Sequence, residues 1–476
     1  MSRIIGPMKS GILSFLERRA AARREAIVED VGRLKRALGS TDEFGQKHPF
    51  TISVVVPTFL KNHAELSGYR FEVIRNELIE LGHLLREGVV DEVIIIDGST
   101  KGSGTPDDSL MRLVVSTMNR SLSIFHDQVD LIQKYGALRD RAVLGLYDFG
   151  IRVVHQLDLE INRVLRTSKI LPQGLATGKG AALWLGAGLS SGEVICFMDS
   201  DIRDFQRWQV ATLLKPILES WRRLDRSMLY SKAQYTRLAV NLDSPEKGFY
   251  KLGGRATRLF VVPLIRALSK RGFLKGLDKL RYPLSGEFAG SRALFESIEF
   301  PLGYEAEMAI LIEMWKRNLT ERIAQVDLGL FQHFPQSDKA IHEMVKQIIQ
   351  LIAVELRDRG ALYPNLVDDY LYEARNEIAS TQAVYEEAEM RIKIEHEVKR
   401  DFFKDVEGDK TKVAAYAEEL RRIMTDPALP KGSIQRLPSW SSIAGTAEGT
   451  RLLSFIRRRG TASTAELLSK QGLLRT

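Results

Sequence analysis

Two aspartates separated by one residue, Asp199 and Asp201, are the most chemically specific feature of this sequence. They directly follow the apolar run Glu193–Met198, which is typical of a buried strand. Carboxylates in this position can face one hard cation, and Mg²⁺ and Mn²⁺ take oxygen ligands while keeping phosphates and waters in their other positions. An isolated Asp-x-Asp is more often a turn with solvated acids, so a metal–diphosphate site depends on the motifs around it.

Two short loops rich in glycine each carry a basic side chain. The GKG triplet 178–180 precedes a helical segment, 181–189, and its glycines would let the backbone approach an anion that Lys179 contacts as a point charge. A Walker A loop is excluded, because no Ser or Thr follows the lysine. In the GGRAT loop 253–257, Arg255 and a threonine hydroxyl stand beside backbone amides that can form a nest for phosphate or carboxylate. Taken alone, the first loop is more often a plain turn, and the second could equally be a tight turn with a surface arginine.

Two acids and one histidine complete the candidate side chains. Glu287 lies between two glycines, and Glu307 falls in the first turn of a predicted helix, where an acid can simply complement the helix dipole. His333 follows a strand-like segment, and a lone histidine there is usually structural unless a metal bound at Asp199 and Asp201 needs a third ligand. The sequence contains no HExxH zinc motif, so it gives no support to that chemistry.

The elements that must position these side chains alternate between strands and helices. Four short runs rich in Val and Ile are separated by segments with helical periodicity: Thr51–Val56, Val89–Ile96, Ile151–Val154 and Glu193–Met198. Such alternation predicts an α/β fold with parallel strands buried on both faces. Ligands of open α/β sheets bind beyond the carboxyl ends of the strands. Asp97 and Asp199 follow two of the four runs there, which predicts a site at that edge.

The rest of the chain divides by composition and periodicity. The stretch after the second strand is long and mostly helical, the region after Ser337 is almost wholly helical, and the chain becomes rich in turn residues from Pro427. We predict a basic amphipathic N-terminal helix at 1–45, a catalytic domain at 50–340 with a helical insertion at about 107–172, a helical extension at 341–426, and a linker with a basic C-terminal tail at 427–476.

The charge of the chain is concentrated at its two ends. The 476 residues include 69 Lys and Arg against 61 Asp and Glu, a net charge of +8. Residues 1–36 hold nine basic and four acidic side chains and residues 451–476 hold six and one, so the ends carry the whole excess. The first segment could lie on a membrane surface or bind a partner, or it could pack on its own protein. A nucleic-acid partner has no motif to support it.

Cysteine content and hydropathy limit the class of protein further. A single cysteine excludes an intramolecular disulfide framework. No apolar run approaches the roughly 18–20 residues of a membrane span, and the start of the chain does not have the pattern of a signal peptide. We therefore expect a cytoplasmic protein.

Taken in chain order, the motifs resemble the retaining GT-A glycosyltransferases that make glucosyl- or mannosyl-3-phosphoglycerate. The resemblance covers about residues 50–350. Its segments are SVVVPTF 53–59, DEVIIIDGST 91–100, GKGAALW 178–184, VICFMDSDI 194–202, GGRATRL 253–259, PLSGEFAGSRALF 283–295, GYEAEMAILIE 303–313 and IAQVDLGLFQH 323–333. It implies a GT-A (Rossmann-like) core, to which the helical insertion and the helical C-terminal extension are additions.

The resemblance also implies ligands and residue roles. The donor would be UDP-glucose, GDP-glucose or GDP-mannose, the cofactor Mg²⁺ or Mn²⁺, and the acceptor 3-phosphoglycerate. The donor-binding residues would be Pro57, Phe59, Ser99, Lys179, Asp199 and Ser200. The acceptor-binding residues would be Gly254, Arg255, Thr257 and Tyr304. The metal ligands would be Asp201, His333 and Asp199. The catalytic residues would be Asp201, Lys179 and Glu307.

The implied mechanism needs no covalent nucleophile. The metal and Lys179 would stabilise the leaving diphosphate, whose oxygen would help deprotonate the acceptor hydroxyl on the same face. A nucleophilic role for Glu307 is the alternative. The product would be a compatible-solute precursor and the enzyme a homodimer, with peripheral membrane contact possible through its basic ends. Two other functions stay open: a retaining transferase with another small or lipid-linked acceptor, and a non-catalytic binding protein on the same scaffold.

Overall fold

The computed structural model describes residues 2–41, 47–60, 69–102, 104–123, 150–240, 250–334, 336–395, 402–403, 405–426 and 434–470. Its strands are β1 Ser40–Thr41, β2 Lys47–His48, β3 Ile52–Thr58, β4 Glu92–Asp97, β5 Ile151–His155, β6 Val194–Phe197, β7 Tyr230–Val240, β8 Tyr250–Leu252, β9 Phe288–Ser291, β10 Phe300–Pro301, β11 Ile323–His333, β12 Phe402–Phe403 and β13 Arg436–Leu437.

The α-helices within these ranges are α1 Ser2–Leu38, α2 Tyr69–Arg86, α3 Ser109–Ser123, α4 Leu159–Thr167, α5 Lys179–Leu189, α6 Arg207–Arg222, α7 Val262–Lys270, α8 Arg292–Glu296, α9 Ala306–Lys316, α10 Asp338–Asp358, α11 Leu366–Glu395, α12 Val406–Thr425, α13 Trp440–Ala444 and α14 Ala447–Lys470. A π-helical turn, Thr257–Val261, precedes α7. None of the helices in the described part of the chain combines the length and hydropathy that a bilayer crossing requires.

One mostly parallel sheet organises the described residues. Its strand order is β12-β8-β7-β9-β6-β3-β4-β5, with β11 also paired to β7. The pairs β6–β3, β3–β4 and β4–β5 are parallel, whereas β9 runs antiparallel to both β6 and β7. Because helices cover both faces, every residue of β4 and β6 is buried. The predicted α/β fold class is confirmed, and all four predicted strands are present.

The N-terminal helix packs on the protein itself. Val28, Val31 and Leu34 are buried, and the helix lies against α6. Asp30 forms an ion pair of 2.6 Å with Lys215 of α6, and Lys35 forms one of 2.7 Å with Asp91. The part of α1 from Val28 to Lys35 therefore has an intramolecular role, as one of the two interpretations of this basic segment predicts. Residues 42–46 of the predicted N-terminal unit lie outside the described residues.

The predicted helical insertion at 107–172 is wrong in part. Helices α3 and α4 lie in it, and residues 124–149 fall outside the described residues. Strand β5 also lies in it, however, and pairs in parallel with β4 as part of the central sheet. The predicted bounds of the insertion overlapped the strand predicted at 151–154, and the structure confirms that strand as part of the core.

The helical extension continues from the core and packs against it. Helices α10, α11 and α12 follow one another from Asp338, three residues before the predicted boundary at 341. The Tyr370 hydroxyl of α11 donates a 2.8 Å hydrogen bond to the Leu259 carbonyl, and Arg258 pairs with Asp409 of α12 at 2.8 Å. The extension is therefore attached to the loop and π-helical turn that begin at residue 253.

The prediction of a linker and basic tail at 427–476 is wrong for the described residues 434–470. This segment forms β13, α13 and α14, and β13 pairs with β10. The Trp440 ring stacks on Trp184 with centroids 4.1 Å apart, and both indole N–H groups donate to backbone carbonyls. The basic side chains pair with acids, Arg457 with Glu296 at 3.3 Å and Arg459 with Asp158 at 2.9 Å. Residues 427–433 and 471–476 lie outside the described residues.

Helix α14 also covers the edge of the sheet. Strand β5 is the last strand in the order, so one row of its backbone groups has no neighbouring strand. The Val153 N–H donates to Thr464 Oγ1 at 2.8 Å, and the same hydroxyl lies 3.4 Å from the Val153 carbonyl. A single threonine hydroxyl thus accepts from the N–H of the residue at the centre of the edge strand, while its own proton is shared between the Val153 and Gly460 carbonyls.

The change Trp440→Ala tests whether this segment belongs to the folded core. Because Trp440 is 1% exposed, we expect the substitution to lower the free energy of unfolding of the protein by about 3–5 kcal/mol, the usual cost of removing a buried aromatic ring. Urea unfolding followed by circular dichroism measures the difference. Trp208→Ala, at a half-buried position on α6, is the matched control and should cost much less. Equal effects of the two changes would contradict the packing role of Trp440.

Candidate active site

The site begins where the chain leaves β6 and where β11 ends. The bridge between Ile202 and His333 joins these two segments, and the Arg203 N–H donates to the Gln332 carbonyl at 2.9 Å. This pairing brings His333 Nδ1 to 3.1 Å from Asp201 Oδ1, although 132 positions separate them in the chain. Two of the three residues predicted as metal ligands are therefore direct neighbours.

The chemistry of this pair fits a hard divalent cation. Two ligand atoms that each lie about 2.1 Å from one cation at a right angle are about 3 Å apart, close to the observed Asp201–His333 separation. The His333 side chain is completely buried, and its Nε2 has no hydrogen-bond partner within the described residues. Burial and the nearby Arg237 guanidinium lower the pKa of His333, which keeps the imidazole neutral. Burial alone would raise the pKa of Asp201, but the hydrogen bond from His333 and the charge of Arg237 outweigh it and hold that pKa below its usual value, so this carboxylate stays ionised.

Two protein ligands leave most of a cation's coordination positions to other groups. No cluster of three or more His, Cys, Asp or Glu side chains in the described ranges is arranged to hold a metal ion. Mg²⁺ is commonly bound in this manner, by one or two carboxylates together with substrate phosphates and water. Asp201 and His333 would hold such an ion, and a diphosphate would complete its coordination.

Lys179 lies between two carboxylates at the same edge of the sheet. It is the first residue of α5, and its Nζ is 2.9 Å from Asp199 Oδ1 and 2.5 Å from Glu307 Oε1. All three side chains are largely buried, with at most 20% of their surface exposed. The two carboxylates outweigh burial and raise the pKa of Lys179, so the ammonium is permanently charged. The Asp199 carboxylate thus faces Lys179, and its predicted place among the metal ligands stays a prediction.

The glycines beside Lys179 serve a different purpose from the one predicted. A Cβ on Gly180 would lie 1.8 Å from the Pro301 carbonyl oxygen, because the backbone of 301–303 crosses directly over this turn. The Gly180 N–H donates to the Gly303 carbonyl at 3.1 Å, and Ala181 donates to Leu302 at 3.3 Å. The expectation that these backbone groups meet an anion is wrong for this conformation, because both N–H groups already donate to carbonyls, and contact between Lys179 and the donor stays a prediction. The crossing also delivers Glu307 to the site.

A layer of buried polar groups supports the turn that carries Asp199. A Cβ on Gly286 would lie 2.1 Å from Asp199 Oδ2, so only glycine fits beneath this carboxylate. The adjacent Glu287 is completely buried, and Tyr235 donates a 2.8 Å hydrogen bond to its Oε2. Burial and the Asp199 charge raise the pKa of Glu287 to about 8. Lys232 donates to the Ser285 carbonyl at 2.8 Å, and burial lowers its pKa to about 8.

Sequence reasoning missed three residues of β7 that surround the site: Lys232, Tyr235 and Arg237. Arg237 Nη2 lies 3.7 Å from Asp201 Oδ2, and Tyr235 stacks on Phe331 with ring centroids 4.5 Å apart. No motif marks them, but polar and charged residues recur along an otherwise buried strand, which is an unusual pattern. That pattern was the available signal.

The predicted nucleotide-pocket residues differ in how accessible they are. Ser99 is 2% exposed, and its hydroxyl donates to Asp97 Oδ1 at 2.6 Å while accepting from the Leu60 N–H at 2.9 Å. Its hydroxyl is thus committed to holding two loops together, as is Oδ1 of the buried Asp97 carboxylate, whereas Asp97 Oδ2 has no hydrogen-bond partner in the described residues. Phe59 is 50% exposed, and Pro57 lies within β3 opposite Ile96. Of the predicted pocket, Phe59 presents the most accessible surface.

The predicted acceptor loop lies beside the metal end of the site. The Gly254 carbonyl accepts from the Arg258 N–H at 2.7 Å, and Thr257 is buried at the start of the π-helical turn. The Gly253 N–H of the loop donates to the Arg237 carbonyl at 2.7 Å, and a Cβ on Gly254 would lie 2.6 Å from the Tyr282 hydroxyl. Since Arg237 also faces Asp201, one chain of contacts joins the acceptor loop to the predicted metal ligands.

The two remaining acceptor residues occupy the rim. Arg255 forms an ion pair with Asp338, and its Nη2 donates to the Gln336 carbonyl at 2.8 Å. Tyr304 is 44% exposed, and its N–H donates to Gln347 Oε1 at 3.0 Å. Ser200 lies half-buried in the turn between the two aspartates. Their predicted contacts with substrate stay predictions.

Comparison with known proteins identifies the family. No family model matches the chain. It is 31% identical over 236 residues to a glucosyl-3-phosphoglycerate synthase from Petrotoga mobilis, and the alignment covers 49% of this chain and 68% of that protein. The chain belongs to the glucosyl-3-phosphoglycerate synthase family. A synthase of the same name from Mycolicibacterium smegmatis is 28% identical over 300 residues, which are 63% of this chain and 75% of that protein.

Two solved structures of sugar–phosphoglycerate synthases are similar to this chain. The glucosyl-3-phosphoglycerate synthase of Mycobacterium tuberculosis, in complex with Mn²⁺, UDP and phosphoglyceric acid, is 26% identical with a TM-score of 0.43, covering 68% of this chain and 81% of that one. The mannosyl-3-phosphoglycerate synthase of Rubrobacter xylanophilus is 25% identical with a TM-score of 0.46, covering 70% and 80%. The family resemblance seen in the motifs is confirmed by the sequence relatives.

Proposed function

We propose that this chain is a retaining, metal-dependent glycosyltransferase that moves glucose from a nucleotide-sugar, with UDP-glucose as the first candidate, to 3-phosphoglycerate. The observation that carries the proposal is the continuity of the site. Asp201 and His333 form a pair suited to a divalent cation, and Arg237, which faces Asp201, also accepts a hydrogen bond from the Gly253 N–H of the acceptor loop. Membership of the glucosyl-3-phosphoglycerate synthase family supports glucose rather than mannose as the transferred sugar.

The groups of the site have different roles in the proposed reaction. When bound, Mg²⁺ or Mn²⁺ supplies Lewis-acid stabilisation of the leaving diphosphate. The Lys179 ammonium, held by Asp199 and Glu307, adds a fixed positive charge in a largely buried environment, where it acts more strongly than in water. Arg255 and Thr257 orient the anionic acceptor so that its hydroxyl approaches the sugar from the side of the departing diphosphate.

The position of Glu307 favours a mechanism without a covalent intermediate. Its Oε1 lies 2.5 Å from Lys179 Nζ, and its side chain is 4% exposed. A carboxylate committed to a permanent cation is a weakened nucleophile, because attack on the sugar would leave Lys179 with one partner fewer. The bond from the sugar to the diphosphate breaks, the bond to the acceptor oxygen forms, and the acceptor proton passes to a diphosphate oxygen.

A matrix of donors, acceptors and cations tests the proposal. We expect turnover of UDP-glucose by the purified chain only with both 3-phosphoglycerate and Mg²⁺ or Mn²⁺, and loss of turnover with EDTA. GDP-glucose and GDP-mannose serve as alternative donors, and glycerol 3-phosphate serves as an acceptor without a carboxylate. Turnover with none of the donors on 3-phosphoglycerate would overturn the named reaction, whereas turnover with another acceptor alone would favour the second candidate transferase.

Further expectations about the biological setting belong to this proposal. They are a cytoplasmic location, a product that serves as a compatible-solute precursor, and a homodimer. Peripheral membrane contact has less support, because described basic side chains near both ends pair with acids of the same chain.

A further inference from the structure

The predicted acceptor residue Arg255 is already paired with a carboxylate. Arg255 Nη1 forms an ion pair with Asp338 Oδ1, and Nη2 donates to the Gln336 carbonyl at 2.8 Å. The two partners differ in accessibility, since the Arg255 side chain is 11% exposed and the Asp338 side chain 69%. Arg255 is therefore a fixed, enclosed cation, whereas Asp338 reaches it from a solvent-facing position at the first turn of α10.

A second cation faces the same carboxylate. Lys412 Nζ of helix α12 lies 3.9 Å from Asp338 Oδ2, and its side chain is 17% exposed. Lys412 also lies 4.0 Å from Asp405 Oδ2 and donates to the Gly408 carbonyl at 3.3 Å, so it is held on its own helix. The Asp338 carboxylate thus lies between a guanidinium of the core and an ammonium of the C-terminal extension.

This arrangement is the one that an anionic substrate group would need. The acceptor of the proposed reaction carries a carboxylate and a phosphate, and either group would seek the Arg255 guanidinium through the same N–H donors. A group bound there in place of the Asp338 carboxylate would also meet Lys412. A phosphate carries more negative charge than a carboxylate, so it would gain more from the second cation.

We propose that Arg255 and Lys412 together form the anion site for the acceptor, and that Asp338 occupies this site as an internal competitor until the acceptor displaces it. The inference rests on the proposed function and adds to it a residue from the extension, outside the segments that resemble the family. It also gives the extension a part in acceptor binding. The apparent affinity for the acceptor is then lowered by the fraction of molecules in which Asp338 holds the site.

The first variant is Asp338→Asn, which keeps the size of the side chain and removes its charge. We expect the KM for 3-phosphoglycerate to fall about three- to ten-fold with kcat little changed, since the competing ion pair is of modest strength and partly exposed. Asp369→Asn is the matched control, because Asp369 is also a first-turn acid of an extension helix and pairs with an arginine, Arg271, at 3.3 Å. Its KM should not change.

The second variant is Lys412→Met, studied alone and combined with Asp338→Asn. Lys412 stabilises both the internal carboxylate and the acceptor, so its removal should raise the KM more in the Asp338→Asn background than alone. Lys410→Met is the control on the same helix, where Lys410 pairs with Glu407 at 2.7 Å and is 56% exposed. The KM for the nucleotide-sugar should stay constant in every variant.

The outcomes separate this inference from the proposed function. Suppose that the wild-type chain turns over 3-phosphoglycerate. The inference alone is then overturned if Asp338→Asn leaves the KM unchanged, or if adding Lys412→Met to Asp338→Asn leaves it unchanged. If the wild-type chain does not turn over 3-phosphoglycerate, calorimetric binding of glycerol 3-phosphate and inorganic phosphate to the same variants gives the answer. Tighter binding in Asp338→Asn that weakens again on adding Lys412→Met would support the anion site, and equal binding would refute it.

Discussion

Asp201→Asn is expected to abolish both turnover and cation dependence. The amide keeps the shape of the side chain but loses the negative charge that a hard cation requires, and it leaves His333 as the sole described partner of the ion. Loss of a metal that neutralises a leaving diphosphate costs several kcal/mol of transition-state stabilisation, so kcat/KM should fall by about 10³-fold or more. Initial rates at saturating 3-phosphoglycerate and calorimetric titration with Mn²⁺ in the presence of UDP measure the two effects.

A remote aspartate provides the control for this substitution. Asp225 is 44% exposed before β7, and its carboxylate accepts a 2.9 Å hydrogen bond from the Ser227 N–H. Asp225→Asn should retain wild-type rates and Mn²⁺ binding. Should Asp201→Asn keep cation-dependent turnover within ten-fold of wild type, the assignment of the metal site to Asp201 and His333 is wrong.

Lys179→Met should damage both catalysis and stability. The ammonium is the described partner of two carboxylates, Asp199 and Glu307, and removing one member of a buried ion pair costs about 3–5 kcal/mol because the remaining charge is left without compensation. Loss of a fixed charge aimed at the leaving group should reduce kcat by about 10²–10³-fold as well. Urea unfolding and single-turnover kinetics on the folded fraction separate the two effects.

Lys316→Met is the matched control for this second change. Lys316 is likewise an enclosed lysine, 23% exposed, and pairs with two carboxylates, Glu313 and Glu355, each at 2.8 Å. It should lose stability without loss of kcat in the folded enzyme. The double variant Lys179→Met/Glu307→Gln should recover part of the stability while remaining inactive. Wild-type kcat in the folded fraction of Lys179→Met would eliminate this lysine from the reaction.

Local sequence patterns predicted the elements that are determined by a few neighbouring residues. The β-branched runs of β3, β4 and β6 predict buried parallel strands, and Asp201 is placed correctly because it follows such a strand. The pairing of His333 with Asp201 could not be predicted from local patterns, because it depends on the register in which β11 pairs with β7 and on the bridge between His333 and Ile202. Only the order of several motifs, taken together, suggested it.

The features that local patterns missed depend on contacts between distant segments. The Ser- and Pro-rich turn before Trp440 indicates a linker. Trp440 is nevertheless buried, because it packs against Trp184 of α5, which lies 256 positions away in the chain. Gly180 predicts a backbone that an anion can approach closely, but in the structure the backbone of 301–303 makes that close approach. Similarly, nothing near Arg255 in the sequence reveals that Asp338 and Lys412 meet at its side chain.

The contact between Thr464 and β5 has a consequence for shortened versions of this protein. Any truncation before α14 removes the hydroxyl that binds the Val153 N–H and leaves that edge strand open. An exposed strand edge can pair with the same edge of another molecule, which is a common route to aggregation and domain swapping. Helix α14 supplies none of the predicted site residues, yet it would then determine whether the enzyme remains free of aggregation at high concentration.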